Sequence, residues 1–334
     1  MSSHPENPRH IPVLISEVLE TLGPKDGETY IDGTFGAGGY TRAILEAANC
    51  SVLALDRDPN AIRGAAPLIE QFGGRLKVAE MPFSQMEDAM QAELQGQQVD
   101  GVVLDIGVSS MQLDNAERGF SFQTDGPLDM RMSSSGMSAA DFLNAADEEE
   151  IANVIYEFGE EHRSRAIARA IVKRRTETPF SRTLELADVV SRVFHGRKVD
   201  GRHPATRTFQ ALRIFVNDEL GELANGLAAA ERILRPGGRL VVVSFHSLED
   251  RIVKKFLAER VGKTAGASRH LPPELIKSEQ PSFRLVNPRP LTPSKGELEV
   301  NPRSRSARLR AAVRTGAEAW PLNFGTTGVP RHHR

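Results

Sequence analysis

The sequence predicts an α/β protein: a Rossmann-like, doubly wound parallel sheet interrupted by a long helical insertion. Three observations predict it. Short apolar runs alternate with amphipathic helical stretches over roughly the first hundred residues. The alternation then stops, and helical periodicity dominates for about another hundred. It resumes with one more helix and an apolar strand before the chain ends. Strands separated by helices at this spacing build βαβ units, and hence a parallel sheet buried on both faces.

In order, ETYID (28–32) reads as a strand and GYTRAILEAA (39–48) as a helix leaving a glycine-rich loop. SVLALDRD (51–58) is a second strand ending in acids, followed by a helix from about Pro59 to Phe72. RLKVAEM (75–81) gives a third strand and VDGVVLDIG (99–107) a fourth, with a helical stretch between them. GFSFQTDGPLDMRMSSSGMS (119–138) is rich in turn formers and reads as a long functional loop. Three stretches between residues 139 and 194 place apolar residues three or four apart, as helices do. A helix near Asp218 to Leu234, the turn RPGG (235–238) and a fifth strand RLVVVSFHS (239–247) follow. FRLVNPRPL (283–291) and SARLRAAVR (306–314) suit an antiparallel pair at one sheet edge. The expected organisation is a core in two parts, 1–108 and 212–314, a helical insertion for substrate recognition at 109–211, and a loose tail at 315–334.

The chain has 334 residues, 40% of them hydrophobic, enough to fill a sizeable core. Its single cysteine, Cys50, excludes an internal disulfide and any cysteine-based zinc cluster, so no metal is expected. No apolar leader segment and no run of eighteen apolar residues is found, so a cytoplasmic location without membrane contact is expected. The formal net charge is −2, but the charges are segregated. Asp141 to Glu161 holds eight acids and no Lys or Arg; His162 to Arg175 holds six Lys or Arg and no acid; Asn301 to Arg314 holds five Arg and no acid. Such segregation matters more for a polyanionic partner than the sum does.

In YIDGTFGAGGY (30–40) the glycines match a dinucleotide fingerprint only in part, because Thr41 stands at the third glycine place. By itself the loop is either a ligand cradle or a plain strand-to-helix turn. Asp56, ending the second strand 24 residues after Asp32, suits a carboxylate that accepts hydrogen bonds from ribose hydroxyls, although the nearby Asp58 leaves some ambiguity about which of the two binds. Asp32 discriminates between ligands. A carboxylate beside a pyrophosphate costs about 1 to 4 kcal/mol for unit charges about 4 Å apart. S-adenosylmethionine carries a sulfonium and an ammonium instead, which a nearby acid favours. Asp105 ends the fourth strand in LDIGVSSMQLD (104–114), where ligands of such sheets lie.

In these residues and in longer motifs around them, the chain resembles the bacterial RsmH (MraW) rRNA methyltransferases. The resemblance rests on YIDGTFGAGG, LDRDP, DGVVLDIGVSS, ERGFSF, DGPLDMRM, HPATRTFQALRI, SFHSLEDR and NPRSRSA, spread over nearly the whole chain, with HIPVL near its start. It implies a class I Rossmann-like S-adenosylmethionine methyltransferase core with a helical insertion domain, acting on the N4 amine of a cytidine in the decoding region of 16S rRNA within the small ribosomal subunit. It further implies cofactor contacts from Gly38, Gly39, Tyr40, Asp56, Phe83, Asp105 and Gln112, joined here by Asp32. Family members commonly have His where this chain has Tyr40, so the backbone contact is what carries over.

The exocyclic amine of cytosine is a poor nucleophile, which calls for positioning and for acceptors facing its N–H groups. Asp105 is a candidate, with Ser109 or Ser110 to orient the base and His246 as an alternative catalytic group; the chain has DIGVSS where other amino-methylating enzymes often carry a D/N/S-P-P-Y/F stretch. Phe142, and after it Phe120 and Phe122, are the rings available to stack on an extruded base. Arg165, Arg169 and Lys173 form one stripe of a helix, and Arg303, Arg305, Arg308 and Arg310 form a second basic group, both suited to RNA phosphates. The rival reading is a non-catalytic RNA-binding ribosome assembly factor that holds S-adenosylmethionine as a structural ligand. A homodimer is compatible with the sequence.

Overall fold

The computed structural model describes residues 12–263 and 280–330; the first eleven residues, 264–279 and the last four lie outside it, including His10 and Ile11 of HIPVL. The chain forms two compact units, one of Met1–Gly107 with Glu222–Gly328, the other of Val108–Gly221 with Val329–Arg334.

The first unit begins with α1 (Ile15–Leu22), β1 (Thr29–Asp32), α2 (Gly39–Ala47), β2 (Ser51–Asp56), α3 (Pro59–Gly64), α4 (Ala66–Phe72), β3 (Leu76–Glu80), α5 (Met86–Leu94) and β4 (Val99–Asp105). The expected single helix at 59–72 is two. Pro67 sits in the first turn of α4, where its missing N–H is harmless, whereas inside one continuous helix its ring would collide with the carbonyl four residues back. The second unit carries α6 (Ser110–Asp114), α7 (Ala139–Ala145), α8 (Glu148–Gly159), α9 (Ser164–Arg175), α10 (Thr183–Val193) and α11 (Thr206–Val216). Then come α12 (Glu219–Ile233), β5 (Leu234–Ser244), α13 (Ser247–Arg260), β6 (Phe283–Leu285), α14 (Lys295–Val300), β7 (Arg308–Arg314) and α15 (Phe324–Thr327).

The seven strands form one sheet in the order β3-β2-β1-β4-β5-β7-β6. β1 to β5 run parallel, and β7 and β6 close one edge antiparallel, as their sequences predict. The RPGG stretch is not a separate turn but a bulge within β5. Pairing jumps from Val99↔Leu234 to Gly101↔Arg239, and the extra residues are absorbed at Gly237, whose φ of 87° suits glycine. Tyr30, Val52, Ala54, Val103, Val241 and Val243 form the apolar layer under α1 and α2.

Of the tail expected to be loose, residues 315–321 are tied down. Arg260 and Glu231, both 0% exposed, form an ion pair at 3.1 Å. Glu231 also accepts the Trp320 N–H at 3.2 Å, and Arg260 donates to the carbonyls of Trp320 and Pro321 at 3.4 and 3.2 Å. Its guanidinium lies between the Phe256 and Trp320 rings, 4.6 and 5.5 Å from their centroids. A buried charge pair persists only when its remaining polar positions are satisfied, and here the tail, Ser282 and Glu259, 2.7 Å from Arg260 Nη1, satisfy them.

In the second unit, α8 and α9 bury Ile151, Val154, Ile155, Ile167 and Ile171 at helical spacing. The loop at 119–138 is laced together. Asn217 accepts the Met132 N–H and donates to the Met130 carbonyl, both at 2.7 Å, while Arg118 donates to the carbonyls of Arg131 and Met132 at 3.0 Å. Every one of these bonds satisfies a backbone group that a buried loop would otherwise leave orphaned.

Candidate active site

The site follows from one short strand. Asp32 ends β1 opposite Ala54 of β2 and Val103 of β4, yet those strands continue to Asp56 and Asp105. β1 therefore stops two residues before both neighbours, leaving a notch at the carboxyl edge of the sheet. Because side chains alternate along a strand, Asp56 and Asp105 stand on the same face as Asp32, one on each side.

The glycine loop is laid into this notch by hydrogen bonds to both flanking strands. Gly33 N–H donates to the Val103 carbonyl at 3.0 Å and Phe35 N–H to the Leu55 carbonyl at 2.9 Å. Gly36 N–H donates to Asp56 Oδ2 at 2.8 Å, and the Thr34 hydroxyl accepts the Asp105 N–H at 2.7 Å. Gly38, with φ of 77°, turns the chain into α2, whose first turn has no side-chain cap. The uncapped N–H groups of that turn favour an anionic group. Gly39 is small for a packing reason, since a Cβ there would lie 2.4 Å from Pro12 Cγ.

Asp32 lies beneath the loop rather than in its mouth. It is 0% exposed; Oδ1 accepts the Thr34 N–H at 3.1 Å and Oδ2 the Thr41 hydroxyl at 2.7 Å. Burial pushes its carboxyl up to about 6, opposed by the hydrogen bonds from Thr41 and Thr34. So placed, it is closed to direct contact and can influence a ligand only through its field. Asp105 is held well above the ordinary carboxylate range by burial, then by the neighbouring carboxylates of Asp32 and Glu249. Among the described residues its Oδ1 has no hydrogen-bond partner. Burial likewise raises Asp56. An unpartnered buried oxygen between like charges is costly unless a cation or a donor faces it.

Of the two neighbouring acids, Asp58 is engaged by α3. Asp58 is its N-cap, accepting the Asn60 N–H at 2.9 Å, with Pro59 in the first turn. Asp56 remains at the notch, and its Oδ1 accepts the Asp58 N–H at 2.8 Å. Phe83 follows β3, and one face of its ring lies against Gly226 of α12, where a Cβ would come 2.3 Å from Phe83 Cδ2. Gly226 was not singled out from the sequence, because a helical glycine gives no sign there of the ring it accommodates.

Several expected side chains have other tasks. The Tyr40 hydroxyl donates to the Val13 carbonyl and the ring is buried, so its side chain is spent on the amino-terminal segment. His246 is the N-cap of α13; its Nδ1 accepts the Glu249 N–H at 3.4 Å, and Glu249 Oε2 accepts the N–H groups of Phe245 and His246. Nε2 lies 3.0 Å from Glu249 Oε1, so the ring sits against the start of α13. Ser109 and Gln112, in the second unit, form the same reciprocal box at α6: Ser109 Oγ accepts the Gln112 N–H at 3.3 Å and Gln112 Oε1 the Ser109 N–H at 3.0 Å. The spacings S-S-M-Q and H-S-L-E carried that signal in the sequence.

Phe142 is a core ring, 1% exposed and 4.5 Å from the Phe215 centroid, so it presents no face to a base. Phe120 is buried as well, and Phe122 packs on His203 and Phe209, each at 4.8 Å. Arg165, Arg169 and Lys173 are exposed along α9, Arg169 facing Glu148 at 3.7 Å. Arg303 and Arg305 are exposed, whereas Arg308 and Arg310 both bond Asp250, at 2.8 and 2.7 Å. The Arg310 side chain is only 15% exposed and is committed to that pair; Arg308, at 52%, keeps an open side.

Residues 7–315 match the model of the MraW methylase family. The chain is 58% identical over 319 residues to a protein of Parvibaculum lavamentivorans named ribosomal RNA small subunit methyltransferase H, covering 96% of this chain and 93% of that one. Proteins of the same name from Azorhizobium caulinodans and Caulobacter vibrioides are 59% and 58% identical; the matches cover 94% and 93% of this chain and 89% and 97% of theirs. The chain belongs to the MraW methylase family.

Proposed function

We propose that this protein is an S-adenosylmethionine-dependent methyltransferase of small-subunit ribosomal RNA, and that its acceptor is the N4 amine of a cytidine in 16S rRNA. The observation that carries the cofactor reading is the anionic notch: Asp32, Asp56 and Asp105 share one face around an uncapped helix start, and Asp105 Oδ1 is unpartnered. That donor set fits S-adenosylmethionine and opposes a pyrophosphate. The carboxylates suit its sulfonium and ammonium groups, the N–H groups at Gly39 and Tyr40 suit its carboxylate, Asp56 its ribose hydroxyls, and the open edge of Phe83 its adenine. When bound, the cofactor supplies an electrophilic methyl group.

Asp105 is the group this chain offers to the acceptor amine. Its Oδ1 has a free lone pair, and an elevated pKa makes the carboxylate a better proton acceptor near neutral pH. Ser109, Gln112 and His246 support the backbone around their helix starts. The exposed Arg165, Arg169, Lys173, Arg303, Arg305 and Arg308 are the phosphate contacts, an assignment supported by their separation from acidic neighbours in the sequence. The relatives' names speak for a ribosomal substrate and for catalysis over a purely structural cofactor.

The test is incubation with labelled S-adenosylmethionine and small subunits lacking the modification, followed by nucleoside analysis. Labelled N4-methylcytidine is expected. Its absence, with cofactor binding intact, would sink the reading.

A further inference from the structure

We infer that Thr34 is a positioning residue: its hydroxyl replaces the main-chain acceptor that β4 loses where β1 leaves the sheet, and so fixes the carboxylate of Asp105. The inference rests on the methyltransferase reading for what Asp105 does, but not for how it is held.

In a parallel ladder the N–H of Asp105 would be answered by a carbonyl of the neighbouring strand. β1 has ended by then. The last regular pairing is Asp32↔Val103, and one further bond, from Gly33 N–H to the Val103 carbonyl, closes it. Beyond that point the loop turns toward β2, where Phe35 and Gly36 donate to Leu55 and Asp56. No main-chain carbonyl of the loop answers Asp105 N–H; Thr34 Oγ1 does, at 2.7 Å, the shortest of the bonds holding the notch to β4. On its other edge β4 continues normally, with Ile106 N–H donating to the Val243 carbonyl at 2.9 Å.

The hydroxyl is itself held. Thr34 N–H donates to Asp32 Oδ1 at 3.1 Å, and the hydroxyl lies 3.5 Å from the same oxygen. Thr41, one turn into α2, anchors the other Asp32 oxygen at 2.7 Å. The chain Thr41–Asp32–Thr34–Asp105 therefore runs from the helix start through the buried acid to Asp105, whose Oδ1 has no hydrogen-bond partner among the described residues. Asp32 organises this chain from below, and Thr34 passes the geometry on. Without the hydroxyl, the Asp105 N–H is orphaned in a buried place, and the end of β4 must shift to find water or another acceptor.

The test is a mutant cycle read by calorimetry with S-adenosylmethionine as the probe. Thr34→Val keeps the branched shape and removes the acceptor, so affinity is expected to fall about tenfold, the worth of one hydrogen bond near a charged group. Thr34→Ser restores the acceptor and is expected within about twofold of wild type. In an Asp105→Ala background Thr34→Val is expected to cause no further loss, because a residue that acts through another is silent once that other is gone. Thr34→Cys, similar in size with a poor acceptor, stands in should the valine variant not fold, with the same loss expected. A variant that melts lower but binds like wild type, or a full Thr34 effect in the absence of Asp105, overturns the inference. Because the readout is binding, failure of the RNA methylation assay counts against the proposed function and leaves this cycle to be decided on its own.

Discussion

Binding of S-adenosylmethionine is expected to strengthen as pH rises from about 5 to about 7. The cause is Asp32, fully buried and pushed up to about 6. At pH about 5 roughly a tenth of such carboxyls are ionised, and at pH about 7 roughly nine tenths. If the ionised form is the one that attracts the cationic cofactor, apparent affinity scales with its fraction and improves about tenfold over this window. Asp105, also raised and coupled to the charge of Asp32, titrates with it as a cluster, so cofactor binding is also expected to release protons. Stability runs the opposite way. A carboxyl that is more basic in the folded state than in the unfolded chain contributes its full stabilisation below about pH 3.8 and loses it as pH rises through about 6. The interval from 3.8 to about 6 corresponds to about 3 kcal/mol. Calorimetry at stepped pH, in buffers of different ionisation enthalpy, reads the affinity and the protons together, and melts over the same range read the stability. Asp32→Asn is expected to flatten both curves near pH 6. A wild-type affinity that stays level from pH 5 to 7 with no proton release would refute the argument.

Gly226→Ala is expected to displace the Phe83 ring, since the new methyl would start 2.3 Å from it; melting should report a loss of about 1 to 3 kcal/mol and calorimetry a weaker cofactor complex. Arg165→Gln with Arg169→Gln is expected to lower RNA affinity and to reduce the slope of log affinity against log salt by about one to two, with cofactor binding unchanged; an unaltered slope returns the stripe to ordinary surface. Arg310→Gln is expected to act differently, weakening the fold through Asp250 and leaving that slope in place. Glu231→Gln removes one of the two carboxylates bonded to the buried Arg260 guanidinium, the other being Glu259 at 2.7 Å, and is expected to cost about 1 to 3 kcal/mol in denaturant unfolding; a loss below about 1 kcal/mol would show that Glu259 and the tail carbonyls alone hold Arg260.

The architecture was legible because its signals are periodic. Apolar runs bounded by turn residues marked all seven strands, and the antiparallel edge pair could be placed from FRLV and ARLRAAVR. What did not show was anything dependent on a partner distant in sequence. Phe142 and Phe122 read as free aromatics until Phe215 and Phe209 were found against them. Arg308 and Arg310 form a basic strand face in an acid-free stretch, yet Asp250, some sixty residues earlier, neutralises much of it. A charge run measures local composition, whereas an ion pair is a fact of tertiary structure. For Ser109 and His246 the capping signal is local, a partner three residues on in each, and it gives both side chains a structural task at a helix start.

Thr41 shows how a departure from a motif can carry its meaning. At the third place of the dinucleotide fingerprint a glycine lets a helix pack closely on its strand. Here the hydroxyl at that place donates to Asp32, and without it the buried carboxylate would lose one of its two side-chain donors. The absent glycine and the present acid are therefore one feature: a loop that holds a negative charge underneath itself needs a donor in the first turn of the following helix, and threonine supplies it. The same reasoning explains why β1 is short. Two more residues of strand would satisfy Asp105 N–H by regular pairing but would fill the notch that Asp56 and Asp105 flank above the buried Asp32. The sheet gives up regular hydrogen bonds at its centre, and Thr34 and Asp56 supply side-chain replacements on either side of the gap.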